Sequence, residues 1–295
     1  MAITAGTKFP TTLVSEMFNA VQGHSALAKI ANETPIPFNG VTEMVFSAEG
    51  EAQLVGEGDL KNPGNAAVTP KVIKPVKFVY QMRVSDEFLN ASDEGRLQYL
   101  TAFADGFAKK IARGFDIAAI HGLEPSTLAD ASFKATNSFD GVIDANNIIT
   151  YAAATVDANI DAAIAKIDGQ ATGIALSPAA GAALAAIKVN GVPQYPEYRF
   201  GQNPDAFYGM GSDVNSTVAV AAEDAAVDHV LVGDFGAFKW GYAKNIPLDV
   251  IRYGDPDGAG RDLKAYNEVC LRAEAYIGWG ILDADKFALV QAEAE

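Results

Sequence analysis

The residues able to do chemistry are few and far apart. His24, His121 and His229 are the three histidines, and they fall in an amino-terminal arm, at the end of a long helical pattern and in a strand-like run. None has a cysteine or glutamate at metal-ligand spacing beside it, so each reads as structural and no metal site is expected. Cys270 is the single cysteine, which excludes an intrachain disulfide and a cysteine zinc cluster and suits a reducing compartment. The motifs H-E-x-x-H, G-x-S-x-G, G-x-x-x-x-G-K and a G-x-G-x-x-G after a strand are absent. Asp255-Pro256-Asp257-Gly258 has the first acidic positions of a calcium loop but lacks the later ligands and the closing glutamate, so a tight turn accounts for it. No cofactor is expected. A conventional enzyme is hard to build from these residues, which shifts weight to a structural or assembly role.

Charge and hydropathy narrow the classes further. Acidic residues outnumber basic ones by 37 to 22, giving −15, so there is no electrostatic drive toward phosphate backbones and no sequence-reading of nucleic acid. A hydrophobic content of 49% excludes a disordered chain, and 295 residues can bury a core in one large domain or two smaller ones. No run of about 18 apolar residues occurs, and the start lacks a basic segment followed by an apolar one. A soluble protein that does not enter a membrane is expected.

The element that must organise the chain is the stretch from Ser85 to Gly122. Leu100, Ala104, Phe107, Ile111, Phe115 and Ala118 repeat at helical spacing, with Gln98, Thr101, Asp105, Lys109 and Asp116 assigned to the opposite, polar side. Ser92 or Asp93 can cap the start, and Gly122 followed by Pro125 supplies a stop. The resulting helix of about 28 residues is roughly 42 Å long and needs an equally long neighbour. Gly106 and Gly114 lie inside it, at a cost of about 1 kcal/mol each relative to alanine.

The remaining segments read in order. Leu13, Val14, Met17, Phe18 and Val21 give a modest arm helix ended by Gly23. Val41 to Ser47 and Val72 to Tyr80 read as two strands joined by 24 residues rich in glycine and proline, too long for an ordinary hairpin turn. A ribbon of two strands has too little buried surface to stand alone, which favours one that lies across another surface, another subunit's included, over a floppy surface hairpin. Residues 145 to 168 read as one helix. Thr172 to Leu176 reads as a strand running into a helix capped by Ser177 with Pro178 at its first position. Strands are expected at Thr217 to Ala221, His229 to Val232, Phe238 to Tyr242, Ile246 to Tyr253 and Tyr266 to Ala275. The expected partner of the long helix is a sheet of Val41 to Ser47, Val72 to Tyr80, Ile246 to Tyr253 and Tyr266 to Ala275.

Several pieces, taken in order, resemble the tailed-bacteriophage major capsid proteins of the Hong Kong 97 type. EGEAQLVGEGDLKNPGN resembles that family's extended loop, and SDEFLNASDEG with a helix ending AAIHG resembles its spine helix. LSPAAGAALAAIKVNGVPQY resembles its strand, helix and loop, while VGDFGAFKW and AYNEVCLRAEAYIGWGILDADKFALV resemble its closing strands. The resemblance implies an α+β Hong Kong 97-type capsid fold. Its parts would be an N-terminal arm (1–40), an extended β-ribbon loop (41–80), and a peripheral domain (81–143) with the spine helix at 94–122. An axial α/β domain (144–242), peripheral-domain strands with a tip loop (243–275) and a C-terminal segment returning to the axial domain (276–295) would complete it. The function implied is a shell subunit that self-assembles into hexamers and pentamers of an icosahedral capsid around double-stranded DNA. An encapsulin-like nanocompartment shell and a soluble α/β enzyme with an unrecognised site are the alternatives.

By the same resemblance, Glu57, Asp59 and Lys61 of the extended loop and Asp255, Asp257 and Arg261 of the tip would contact other subunits. Some family members join an extended-loop lysine to a peripheral-domain asparagine with a glutamate as proton acceptor, for which Lys61, Asn267 and Glu274 are the candidates. That chemistry needs a neutral amine attacking a carboxamide in a dry site. An asparagine opening a strand also serves simple turn chemistry, and no cross-link is expected. The implied partners are other copies of the chain, a separate scaffolding protein, a portal, DNA held without sequence-specific contacts, and a decoration protein. The implied location is the virion, with assembly in the host bacterial cytoplasm.

Overall fold

The computed structural model describes residues 21, 23–49, 54, 55, 57, 65–87, 92–244 and 248–293. Two sheets and one long helix share a continuous apolar core. The arm enters through helix α1 (Ala26–Ile30), capped by the Ser25 side chain. The helix expected around Leu13 to Phe18 lies outside the described residues, and the segment after it stays helical at Gly23 and His24. Strands β1 (Val41–Glu49) and β2 (Asn65–Ile73) then form an antiparallel ribbon that, among the described residues, joins no other sheet. Strand β3 (Pro75–Ser85) follows after a single residue, Lys74. The expected strand Val72 to Tyr80 therefore straddles a junction. Pro75, which lacks a backbone N–H, opens β3 and is the mark of the junction, obscured by the apolar residues on either side of it.

Helix α2 (Asp93–His121) is the spine. Ser92 Oγ accepts from the Gly95 amide, and Gly122 closes the helix in the left-handed conformation. Any side chain at Gly122 would also strike Lys134. Phe103, Phe107, Ile111 and Phe115 are buried as one stripe, while Gln98, Thr101, Asp105 and Lys109 face solvent. Asp116 departs from that pattern. The helix is enclosed on almost every side after Ala112, so this carboxylate is buried.

The spine lies on a four-stranded sheet whose central strand is β13 (Glu268–Ile281), flanked by β3 along one edge. On its other edge lie β11 (Phe238–Lys244) and β12 (Leu248–Ile251). β1 is absent from this sheet, contrary to expectation, because all its ladder partners are on β2. Strand β3 runs through the expected boundary at residue 80 and β13 through the one at 275, since a hydrogen-bonded ladder makes each continuous. Phe115 of the spine packs its ring 5.3 Å from Trp240 and 5.7 Å from Trp279. The indole N–H of Trp240 donates to Ala31 O and that of Trp279 to Asn137 O, so both rings are satisfied as well as buried. The arm reaches this sheet too. The Thr34 amide donates to Trp240 O, and at Gly241 a Cβ would sit 1.9 Å from Thr34 O, so only glycine allows the contact.

Short helices α3 (Lys134–Asn137) and α4 (Phe139–Val142) lead to the second sheet. It is built from β4 (Ile148–Thr150), β5 (Gly173–Leu176), β8 (Ala206–Phe207), β9 (Met210–Val214), β10 (Asp228–Gly233) and β14 (Phe287–Gln291), in the order β4-β14-β10-β5-β9-β8. Strands β6 (Lys188–Val189) and β7 (Val192–Pro193) form a separate small hairpin. Helices α5 (Val156–Ile164) and α6 (Pro178–Ala186) cover one face. Along β10, Val230 and Val232 point to these helices and Leu231 to the core shared with the spine. β5 and β14 alternate in the same way, with Ile174 and Val290 on the helix side and Ala175 and Leu289 on the other. Two sequence expectations fail here. Ile148 begins a strand, not a helix, because it pairs in parallel with β14 far along the chain. Thr217 to Ala221 contains turns, and the strand lies earlier, at β9, where a glycine and two polar residues conceal it.

Candidate functional site

The ribbon is the first candidate surface. Pairing sets Met44 opposite Pro70, Phe46 opposite Val68 and Thr42 opposite Val72, which puts all six on one face. Met44 and Phe46 are 67% and 66% exposed, and Val68 and Val72 are more than half exposed. Among the described residues, the ribbon is secured to its own subunit at its base: Ile73 is buried, and Lys239 Nζ lies 2.9 Å from Glu43. A contiguous apolar face on an otherwise unsupported ribbon marks a docking surface.

The second candidate is the loop between β12 and β13. Arg83 reaches from β3 into it, and its guanidinium meets Asp255 at 2.5 Å, Asp257, and Glu268 at 3.1 Å. It also donates to Arg261 O at 3.1 Å. Asp255 accepts from the amides of Ala259 and Gly260, which closes the turn. A guanidinium thus occupies the centre on which the two carboxylates of the D-P-D-G turn converge. Its hydrogen bonds and charge hold the Asp257 carboxyl well below the usual range.

The third is buried, where the spine meets the second sheet. Asp116 accepts from Ser25 Oγ at 2.5 Å, the Ala26 amide at 2.9 Å, the Leu27 amide at 3.3 Å and Thr217 Oγ1 at 2.9 Å. Burial pushes its carboxyl up to about 6 against these four donors. The carbonyl of the same Thr217 lies 2.9 Å from His121 Nε2. His121 Nδ1 lies 2.9 Å from Asp140 Oδ2 and 3.3 Å from Asp228 Oδ2. Burial alone would lower the His121 pKa, but the hydrogen bond to Asp140 and the charges of both aspartates raise it. Burial, followed by the neighbouring Asp140 charge, pushes Asp228 up. Asp140 Oδ1 and both Asp228 oxygens have no hydrogen-bond partner, so the 3.3 Å approach of Asp228 is a charge contact without hydrogen-bond direction. Sequence spacing placed His121 alone. Folding brings it two carboxylates from positions 19 and 107 residues away.

The sequence profile of the phage capsid family matches residues 6–292. The chain belongs to the phage capsid family. It is similar to a chain from Mycobacterium phage Ogopogo, at 30% identity over 92% of each chain with a TM-score of 0.78. It shares its fold with a chain from Gordonia phage Cozz, at 24% identity over 91% of this chain and 86% of that one, TM-score 0.71. A chain from the capsid of a native GTA particle shares the fold at 14% identity, over 91% of this chain and 90% of that one, TM-score 0.62. No curated protein matches the sequence. The fold is the Hong Kong 97 type, and the protein is a major capsid protein, a structural subunit of an icosahedral shell.

In this capsid subunit the residues taken from the family resemblance are dispersed. Asp59 and Lys61 lie outside the described residues, and Glu57 sits exposed in a turn. Asp255, Asp257 and Arg261 come together around Arg83, a residue that the sequence did not single out. Asn267 adopts a left-handed conformation at the end of a short 3-10 turn just before β13. Glu274 pairs with Lys77 at 2.7 Å. Seven residues of mostly extended chain, roughly 23 Å, separate Asn267 from Glu274 within one subunit. Among the described residues no helix is long and apolar enough to cross a membrane.

Proposed function

We propose that this capsid subunit forms hexamers and pentamers by laying its arm and extended ribbon on neighbouring subunits. The ribbon's exposed apolar face, Met44, Phe46, Val68 and Val72, carries this reading: it is a surface that water does not favour and that its own subunit leaves uncovered. The tip residues Asp255, Asp257 and Arg261, together with Glu57, Asp59 and Lys61 of the ribbon, contact further subunits. Residues 1–40 act as the arm, 41–80 as the extended loop, 144–242 with the C-terminal segment as the axial domain, and the rest as the peripheral domain. Many modest interfaces sum to a stable shell through multivalency.

The shell assembles in the host cytoplasm with a separate scaffolding protein and a portal, accepts a decoration protein, and encloses double-stranded DNA without reading its sequence. A net charge of −15 supports this last point, because an acidic inner wall repels packed phosphates and leaves the genome free to move. The mechanism is binding without turnover. Asn267 serves the turn it occupies, so boiled particles run as a single band near 31 kDa. Negative-stain microscopy with light scattering of the expressed protein tests the reading. Closed shells tens of nanometres wide are expected, and a monomer that persists when scaffold is co-expressed overturns it.

A further inference from the structure

The cluster of His121, Asp140 and Asp228 sits where three elements meet: the last residue of the spine, the first turn of α4 and the first residue of β10. Its nitrogen and carboxylate oxygens lie within 4.8 Å of one another. A carbonyl oxygen only accepts, so the contact with Thr217 O fixes the hydrogen of His121 on Nε2. Nδ1 is then the atom turned toward both carboxylates. A neutral ring would press its lone pair against anionic oxygens, so a positive species belongs between them.

A proton on Nδ1 is the simplest such species, and it meets the need poorly. It gives one donor, taken by Asp140 Oδ2 at 2.9 Å. Asp140 Oδ1 and both oxygens of Asp228 stay without a donor, and Asp228 is only 1% exposed. Orphaned buried acceptors of this kind are rare in folded proteins and ask for a partner. A divalent ion meets the need better. It would take one oxygen from each aspartate and the Nδ1 lone pair, and it would cancel the two carboxylate charges.

We propose that His121 Nδ1, Asp140 and Asp228 form a binding site for a divalent transition-metal ion of the Zn2+ class. The geometry agrees. Ligands held at about 2.0–2.1 Å by a tetrahedral ion lie roughly 3.3 Å apart. The observed separations from Nδ1 are 2.9 and 3.3 Å, within a few tenths of an ångström of that distance, and all three ligand atoms lie within 4.8 Å of one another. One nitrogen with two carboxylate oxygens suits Zn2+ and its first-row neighbours better than Ca2+ or Mg2+. A metal-bound histidine characteristically donates its other N–H to a carbonyl or carboxylate, which is the role of Thr217 O. Asp140, 20% exposed at its side chain, forms the entrance, the side from which a water would arrive as fourth ligand. The bound ion would fasten the end of the spine to the second sheet.

The test uses the full-length chain, stripped with EDTA and then incubated with Co2+ or Zn2+ and desalted. One ion per chain is expected, with visible Co2+ bands of four- or five-coordinate nitrogen and oxygen ligation and a Tm raised by about 5 °C. Asp228→Asn and His121→Gln should weaken retention at least tenfold, whereas His24→Ala, a control for exposed imidazole, should not. Should Asp228→Asn fail to fold, Asp140→Asn at the entrance replaces it. No retained ion in the unmutated chain, or retention equal in the ligand variants, overturns the site and leaves a proton on Nδ1.

Discussion

The Ser25 hydroxyl donates to Asp116 Oδ1 at 2.5 Å across 91 residues of chain. This contact places the start of α1, and with it the arm, on the buried half of the spine. Thr217 joins the same carboxylate from the loop after β9, so one side chain holds arm, spine and second sheet together. Four donors converge on it, and removing them or it would leave buried polar groups unpaired.

Asp116 therefore predicts a pH dependence. Its pKa is near 3.8 in the unfolded chain and about 6 when buried. A raised acid favours the folded state when protonated, so the Asp116 contribution is greatest below about pH 4 and declines as pH rises through 6. Its full span is on the order of 3 kcal/mol. The Tm difference between the native chain and Asp116→Asn, followed from pH 4 to 7, should change by several degrees. A constant difference would mean that Asp116 keeps an ordinary pKa.

Arg83 carries the tip. Arg83→Met leaves Asp255 and Asp257 facing each other without their cation, while Glu268 keeps Arg261 at 2.8 Å, and the loop from Gly254 to Leu263 should open. Trypsin cleavage at Arg261 reports this, with the variant cut much faster than the native chain. Asp257 is held low by the guanidinium, so this ion pair is present at neutral pH and is lost on acidification below the ordinary carboxylate range. Native tip cleavage should rise under acid with a protease active there. Equal cleavage of both proteins at neutral pH would remove Arg83 from this role.

Phe46→Glu tests the ribbon. Phe46 is exposed within the subunit, so the folded monomer should keep its Tm within the change of about 0.5 kcal/mol usual for surface sites. Assembly should fail, because a carboxylate would be desolvated in the interface. Normal shells from this variant would show that the ribbon face stays in water.

Two glycines separate propensity from packing. A Cβ at Gly106 meets nothing within 4 Å, so Gly106→Ala should stabilise the subunit by about 1 kcal/mol, read as a higher denaturant midpoint. Gly241→Ala would put a methyl group 1.9 Å from Thr34 O and should push the arm off β11, speeding amide exchange at Thr34. Unchanged exchange there would show that the arm accommodates the methyl group.

Local pattern determined much of this protein. The spacing of Leu100, Ala104, Phe107, Ile111 and Phe115, with Ser92 and Gly122 at the ends, fixed the spine almost to the residue, because helix periodicity and capping are short-range effects. Ser177-Pro178 marked a helix start for the same reason. Only the tertiary structure decided which strands share a sheet, since Val72 and Tyr80 look alike in sequence yet pair with β1 and β13. It alone decided that Asp116 is buried, because a residue on the polar side of an isolated helix turns inward when a second layer covers it. The gathering of His121, Asp140 and Asp228 has the same origin. Their spacing follows no local period, so only the packing of the spine's end against the second sheet could bring them within reach of one ion.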